Sequence, residues 1–212
     1  MNYTKAIPDV YPVANSNICH HVKVRKGDMN QGWKDSDIMV EGTFFVPNAD
    51  HIAMETRSAR AEILPDGQII IHTASQGPFP VRKIISEHFG VEMGKVVVHV
   101  PLVGGGYGGK AAVDLEFLAV MASQAVGGQP VIVTNTREQD IVSSPCKLSM
   151  EATIKLGANK DGTLTAGEYT FIVGTGAYAN SGPRMANSMA MNCTGPYRLN
   201  NVCCDSTLGG SM

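Results

Sequence analysis

The sequence predicts an α+β fold of mixed β-sheets with helices packed on one side, and three observations carry that expectation. Residues 148–156 alternate Leu148, Met150, Ala152, Ile154 and Leu156 with polar neighbours, the period of a strand with one wet face. Two segments have helical spacing instead: Val81, Ile84, Ile85, His88 and Phe89, then Leu115, Leu118, Ala119 and Ala122. Short β-branched runs flank both, at residues 95–100 and 130–134. Strands and helices are interleaved.

The other elements follow in order. Residues 1–17 contain Pro and Asn without periodicity and read as an arm or linker, and residues 20–25 alternate as a short strand. Asp28 is placed to cap a brief helix through Trp33. Residues 38–46 form a strand ending at Pro47, and residues 58–64 and 68–73 form a pair joined by Pro65-Asp66-Gly67. Proline presets one turn dihedral there, and glycine takes the left-handed one. Pro80 opens a helix that Gly90 terminates. A second helix is expected from Ala111 to about Val126, ended by Gly127-Gly128. Asn159-Lys160-Asp161-Gly162 is a hairpin turn, residues 174–182 read as a loop, and residues 202–204 are strand-like. The expected domain is residues 18–206, and residues 207–212 form an unpatterned tail.

Composition excludes several classes of function. The 212 residues carry 17 basic and 19 acidic side chains, a net charge of −2 that gives no electrostatic case for nucleic acid. No apolar run approaches the roughly 20 residues needed to span a bilayer, and the N-terminus lacks a hydrophobic signal core. Five cysteines (Cys19, Cys146, Cys193, Cys203, Cys204) lack paired metal spacings, so reduced thiols in the cytoplasm are expected.

The densest chemical signal is Val103-Gly104-Gly105-Gly106-Tyr107-Gly108-Gly109-Lys110, between a strand and a helix. Such a loop offers free N–H groups and the positive end of a helix dipole to an anion. It fits the P-loop pattern up to Lys110, but Ala111 stands where a magnesium-binding hydroxyl is required. It also fits the dinucleotide fingerprint, yet the next strand ends at Thr134-Asn135 without the ribose-binding acid. A nucleotide-binding module using residues 104–110 and a non-catalytic structural remnant stay open as alternatives.

Residues 73–144 resemble the molybdenum hydroxylase large subunit, the xanthine dehydrogenase and aldehyde oxidase family. The resemblance rests on Ala74-Ser75-Gln76, the helix and strand that follow, and Gly104-Gly105-Gly106-Tyr107-Gly108-Gly109-Lys110. Val40-Glu41-Gly42-Thr43 and His51-Ile52-Ala53-Met54-Glu55-Thr56 extend it upstream, to roughly residues 17–206. Where the family usually has Phe, this chain has Tyr107.

The resemblance implies a molybdenum cofactor-binding type of α+β domain that binds molybdopterin and takes part in oxidising aldehydes or N-heterocycles. It places Gln76 with its amide toward an oxygen ligand of molybdenum, a donor that adds no charge. Gly105, Gly106, Tyr107 and Gly108 would lie along the cofactor, with Gln76 and Tyr107 near the metal and no direct protein ligand. Ala111 occupies the position where purine-oxidising members carry a substrate-binding glutamate, which argues against xanthine. The general-base glutamate is expected outside this chain, so the resemblance implies a truncated large subunit with no catalytic residue of its own. Such a piece is expected to be inactive alone and not to retain the cofactor. Iron–sulfur clusters and FAD are expected on other domains or subunits, which join the remainder of the large subunit and a small-molecule substrate as partners. Self-association is a further expectation, since a domain without its covering half exposes apolar surface.

Other residues read as structural. Cys19-His20-His21 alternate across a strand and cannot readily converge on a metal. Asp114 and Glu116 are two apart on a helix and are expected in solvent. Arg137, Glu138 and Asp140 are expected at a charged helix start on the surface, and Cys146 as a small buried hydrophobe.

Overall fold

A computed structural model describes residues 16–209, so most of the expected arm and residues 210–212 of the expected tail lie outside the described residues. The span expected as one domain contains two compact units. One is built from residues 16–49 and 148–209, the other from Asp50–Lys147.

The first unit is a five-stranded sheet. It contains β1 (Ile18–Lys26), β2 (Ile38–Val46), β7 (Ser149–Ala158), β8 (Leu164–Gly174) and β9 (Asn201–Gly209), in the order β1-β9-β8-β7-β2. Only β8 and β9 run parallel, and their crossover is a helix, α5 (Gly182–Met191). Val202, Cys204, Ser206 and Leu208 of β9 are buried on one face, with Tyr169, Phe171 and Val173 beside them. Ala186 and Ala190 of α5 close that face over β1 and β9. Helix α1 (Met29–Lys34) is capped by the Asp28 carboxylate, as expected. It meets the alternate set of residues: Gly32 stands against Asn201 and Ala166, and Lys155 lies 4.9 Å over the Trp33 ring. So α1 lies on the opposite face of this sheet from α5. Toward β2 the apolar face is bare, with Val40 and Phe44 each 60% exposed.

Three sequence expectations change here. Helix α5 extends the sequence expectation, which reads residues 174–182 as a loop and assigns no element to the residues after it; its buried positions are the small Gly182, Ala186 and Ala190. Thr207–Gly209, expected to be patternless, continue β9 against both β1 and β8. Cys146 is exposed, not buried, while Cys204 is the buried thiol.

The second unit is a four-stranded sheet of β3 (Ser58–Ile63), β4 (Ile69–Thr73), β5 (Val96–His99) and β6 (Val131–Thr134), ordered β5-β4-β3-β6. Its helices are α2 (Pro78–Phe89), α3 (Leu115–Ala125) and α4 (Arg137–Ser143). Here the one-sided packing holds for α2 and α3. Ala59, Ala61, Ile69, Ile71 and Val96 face Val81 and Ile85 of α2 and Ala119 and Val120 of α3, all at most 2% exposed. The β3–β4 hairpin is antiparallel, and β4–β5 is parallel with α2 as its crossover. Helix α2 starts at Pro78, two residues before the expected Pro80, and ends at Gly90 in the left-handed conformation. Among the described residues no helix is long and apolar enough to cross a membrane.

The fold of α2 and α3 onto β3 and β4 is what delivers Gln76 and the glycine loop to one place. Ile71→Ala is therefore expected to destabilise this unit by about 2–5 kcal/mol. Ile132→Ala, at a side chain 65% exposed, should leave the thermal midpoint nearly unchanged. Thermal unfolding of the two variants checks the contrast.

Candidate functional site

The glycine loop is drawn closed by one carboxylate oxygen. Glu55 Oε2 accepts the Gly104 N–H at 2.8 Å and the Lys110 ammonium at 2.6 Å. The Glu55 N–H in turn donates to the Gly104 carbonyl at 3.2 Å. Lys110 is 3% exposed, and a buried ammonium is tolerable only with such a partner. The Lys110 hydrogen bond holds the Glu55 carboxyl below its usual range, against the opposing effect of burial.

A second clamp lies under the end of the loop. The buried Arg57 guanidinium donates to Asp140 Oδ1 at 3.1 Å and to the Gly109 carbonyl. The Arg57 N–H donates to the same Asp140 oxygen at 3.2 Å. Burial alone would raise the Asp140 carboxyl. The Arg57 N–H, the Asn135 amide and the Arg57 guanidinium outweigh it and hold the group low. Asp114, 3.8 Å from Arg57 Nε, is pushed up by burial despite that cation.

These contacts correct the expectation of solvated acids. Asp140 is 3% exposed and Glu116 5%. Glu116 accepts the Thr73 hydroxyl at 2.6 Å and the Asp114 N–H at 3.0 Å. The helix after the loop also starts later than expected. Residues 109–111 make one 3₁₀ turn and α3 begins only at Leu115. The helix dipole expected at the loop therefore belongs to a later segment, where Glu116 occupies the Asp114 N–H just ahead of the first turn.

Gln76 sits directly on the loop. Its N–H donates to the Lys110 carbonyl at 2.9 Å, and the Ser75 hydroxyl donates to the same oxygen at 3.3 Å. Its side-chain Oε1 accepts from the N–H groups of Gly108 (3.0 Å) and Lys110 (3.2 Å). Two backbone donors require the amide oxygen at that position, so the NH₂ end is the one left free. A Cβ on Gly106 would stand 2.5 Å from Gln76 Oε1, and one on Gly109 would stand 2.8 Å from His51 Nδ1. A Cβ on Gly104 would likewise stand 2.6 Å from Glu55 Cβ, so three of the loop's glycines are needed for side chains of this chain to lie against it.

What the loop leaves open is a small set of donors. Among the described residues, neither the Gly106 N–H nor the Tyr107 N–H has a partner, and neither does the Gln76 NH₂. Gly105, Tyr107 and Gly108 have φ of 92°, 54° and 98°. The Tyr107 ring is 72% exposed and folds back toward Gly105. Ala111 is exposed and donates its N–H to the Gly108 carbonyl at 3.3 Å. Three uncommitted N–H donors suit an anionic, oxygen-rich group. The structure thus brings Gln76, Gly105, Gly106, Tyr107 and Gly108 together.

Glu55, Arg57, His51 and Asp140 have no role at this site in the sequence pattern. Lys110 at the end of a glycine run was the available signal, since a lysine that becomes buried there demands a carboxylate. No group of three or more His, Cys, Asp or Glu side chains arranged for a metal exists among the described residues. In particular, His21 is paired with Asp205 at 3.1 Å, away from Cys19 and His20.

A family model described as molybdopterin cofactor-binding domain matches residues 10–209. The probable hypoxanthine oxidase XdhD of Escherichia coli is 33% identical over 180 residues, 85% of this chain and 18% of that protein. Aldehyde oxidase 2 of Rattus norvegicus is 26% identical over 192 residues, 89% of this chain and 14% of that protein. The solved aldehyde oxidoreductase of Desulfovibrio gigas superposes with a TM-score of 0.84 at 27% identity, covering 91% of this chain and 21% of that one. The chain spans about a fifth or less of the length of these proteins.

Two outcomes follow from the loop geometry. Gly106→Ala is expected to displace Gln76, at a cost of about 1–3 kcal/mol, and to speed hydrogen exchange at the Gly108 and Lys110 amides. Unchanged exchange there would contradict the packing described. For pH, the Glu55 carboxyl is depressed from its ordinary value of 4.5. Its stabilising effect is therefore complete above about pH 4.5 and lost as pH falls through the lower folded value. The protection of the Gly104 amide, the factor by which its exchange is slowed below the intrinsic rate at the same pH, should fall over that acid window in the native chain, and Glu55→Gln should remove that acid step.

Proposed function

We propose, for a chain that belongs to the molybdopterin cofactor-binding domain family, that the glycine loop and Gln76 form one wall of a molybdopterin site. The observation that carries this reading is the trio of N–H donors at Gly106, Tyr107 and Gln76, left without partners while their neighbours are committed. When bound, the cofactor supplies the oxygen-transfer and electron chemistry. This chain's residues bind and orient it. The Gln76 NH₂ would donate to an oxygen of that group: its own oxygen is held by Gly108 and Lys110, which turns the NH₂ outward, and a neutral amide adds no charge. The Gly106 and Tyr107 N–H groups would donate to its anionic oxygens, and Gly105 and Gly108 would let the backbone come close. No side chain here is assigned as a metal ligand, and none as the base that takes the substrate proton.

The activity in view is that of a molybdenum hydroxylase acting on an aldehyde or an N-heterocycle. The aldehyde side is supported by the names aldehyde oxidase 2 and aldehyde oxidoreductase and by the methyl of Ala111 at the position of a purine-binding carboxylate. The N-heterocycle side is supported by the name of the hypoxanthine oxidase relative. Other domains or subunits would carry iron–sulfur clusters and FAD, and the remainder of a large subunit would supply the base. The bare apolar face at β2 is the surface on which that remainder, or a second copy, would pack. The unpaired thiols support a cytoplasmic setting.

The nucleotide reading is disfavoured by one specific observation. The Lys110 ammonium, which would have to reach phosphates, is buried against Glu55.

Titration of the chain with molybdopterin, followed by amide NMR, tests the proposal. The Gly106 and Tyr107 signals should move together in a saturable step, and Gln76→Ala should weaken binding about tenfold. Gln76→Glu should weaken it further, by placing a carboxylate beside an anion. Saturable binding of Mg-ATP or NAD at the same amides, with no response to molybdopterin, would overturn it.

A further inference from the structure

The face of the four-stranded sheet opposite α2 and α3 carries a pair of histidines that the cofactor site does not use. His72 on β4 and His99 on β5 are register partners on adjacent parallel strands. Their rings lie 4.7 Å apart between centroids at an interplanar angle of 24°, and both side chains are exposed. We propose that His72 and His99 form a two-imidazole binding site for a divalent transition ion of borderline softness, such as Zn²⁺.

The placement suits that chemistry. Zinc–imidazole bonds of about 2.0–2.1 Å in a tetrahedral shell need ring nitrogens roughly 3.3 Å apart. To converge on one ion the rings must turn out of their stack, because each lone pair lies in its ring plane; register partners on adjacent strands start side by side for that turn. Register makes the pair persistent, because β4 and β5 are tied together from Ile69↔Val96 through His72↔His99.

One cation lies near the pair, and it is itself paired. Arg60 is the register partner of His72 on β3. Its charge is offset by Glu62, which holds its guanidinium at 3.0 Å, so the cation beside the pair is already matched. Two protein ligands leave the remaining positions to water, which makes the site open and the ion exchangeable. It lies on the exposed outer face, whereas the glycine loop and Gln76 lie beyond the strand ends, so the site is independent of the molybdopterin reading.

The test is titration of the full chain with ZnCl₂, followed by histidine-ring NMR and calorimetry. The ring signals of His72 and His99 should shift together in one saturable step. His72→Gln or His99→Gln should each weaken binding at least about tenfold, which is about 1.4 kcal/mol. The double substitution His20→Gln, His21→Gln should leave it unchanged. Both substituted side chains are on the surface, so folding is expected to persist, and the wild-type ring shifts decide the question without any variant. Ring signals of His72 and His99 that stay fixed while other groups respond would overturn the proposal. Equal binding by wild type and His72→Gln would do the same.

Discussion

A single oxygen of Glu55 accepts a hydrogen bond from the residue that opens the glycine loop and an ion pair from the residue that closes it. The rest of the site depends on this contact, because the Lys110 ammonium cannot be buried unpaired and the loop has little side-chain packing of its own. With Gly104 and Lys110 held together, the Lys110 N–H and carbonyl are presented to Gln76, which bonds to both. The loop's shape is set from beneath by charge. Its glycines permit that shape; they do not impose it.

The density of glycine has two causes that the sequence alone merges. A close approach to a ligand and a close approach of a neighbouring side chain both exclude a Cβ. In this chain Gly104, Gly106 and Gly109 exclude it on behalf of Glu55, Gln76 and His51. The remaining N–H groups are what face a ligand, so the candidate site is defined by which donors the protein has not already used. A generic anion loop thereby becomes three particular donors.

Electrostatics connects this loop to the scaffold of its unit. Arg57, immediately before β3, bonds to the loop at Gly109 and to α4 at Asp140. Thr73, at the end of β4, bonds to Glu116 at the start of α3. Buried acids thus link the strand ends to α3 and α4. Each is matched by a donor, as buried charge requires.

Much of the fold was legible before any coordinates, and the reasons are local. Period-two alternation over β7, the Pro-Asp-Gly turn between β3 and β4, the Asp28 cap and Gly90 at the end of α2 all act within a few residues of themselves. Gln76, the glycine loop and the missing hydroxyl at Ala111 are likewise properties of the chain written out in order. Tertiary structure alone decided which charges went inside. Lys110 meets Glu55 across 55 positions and Arg57 meets Asp140 across 83, and no local pattern encodes a partner so distant. The same holds for the delayed start of α3. Local spacing determines which element a segment forms. Burial determines what each polar group must then find.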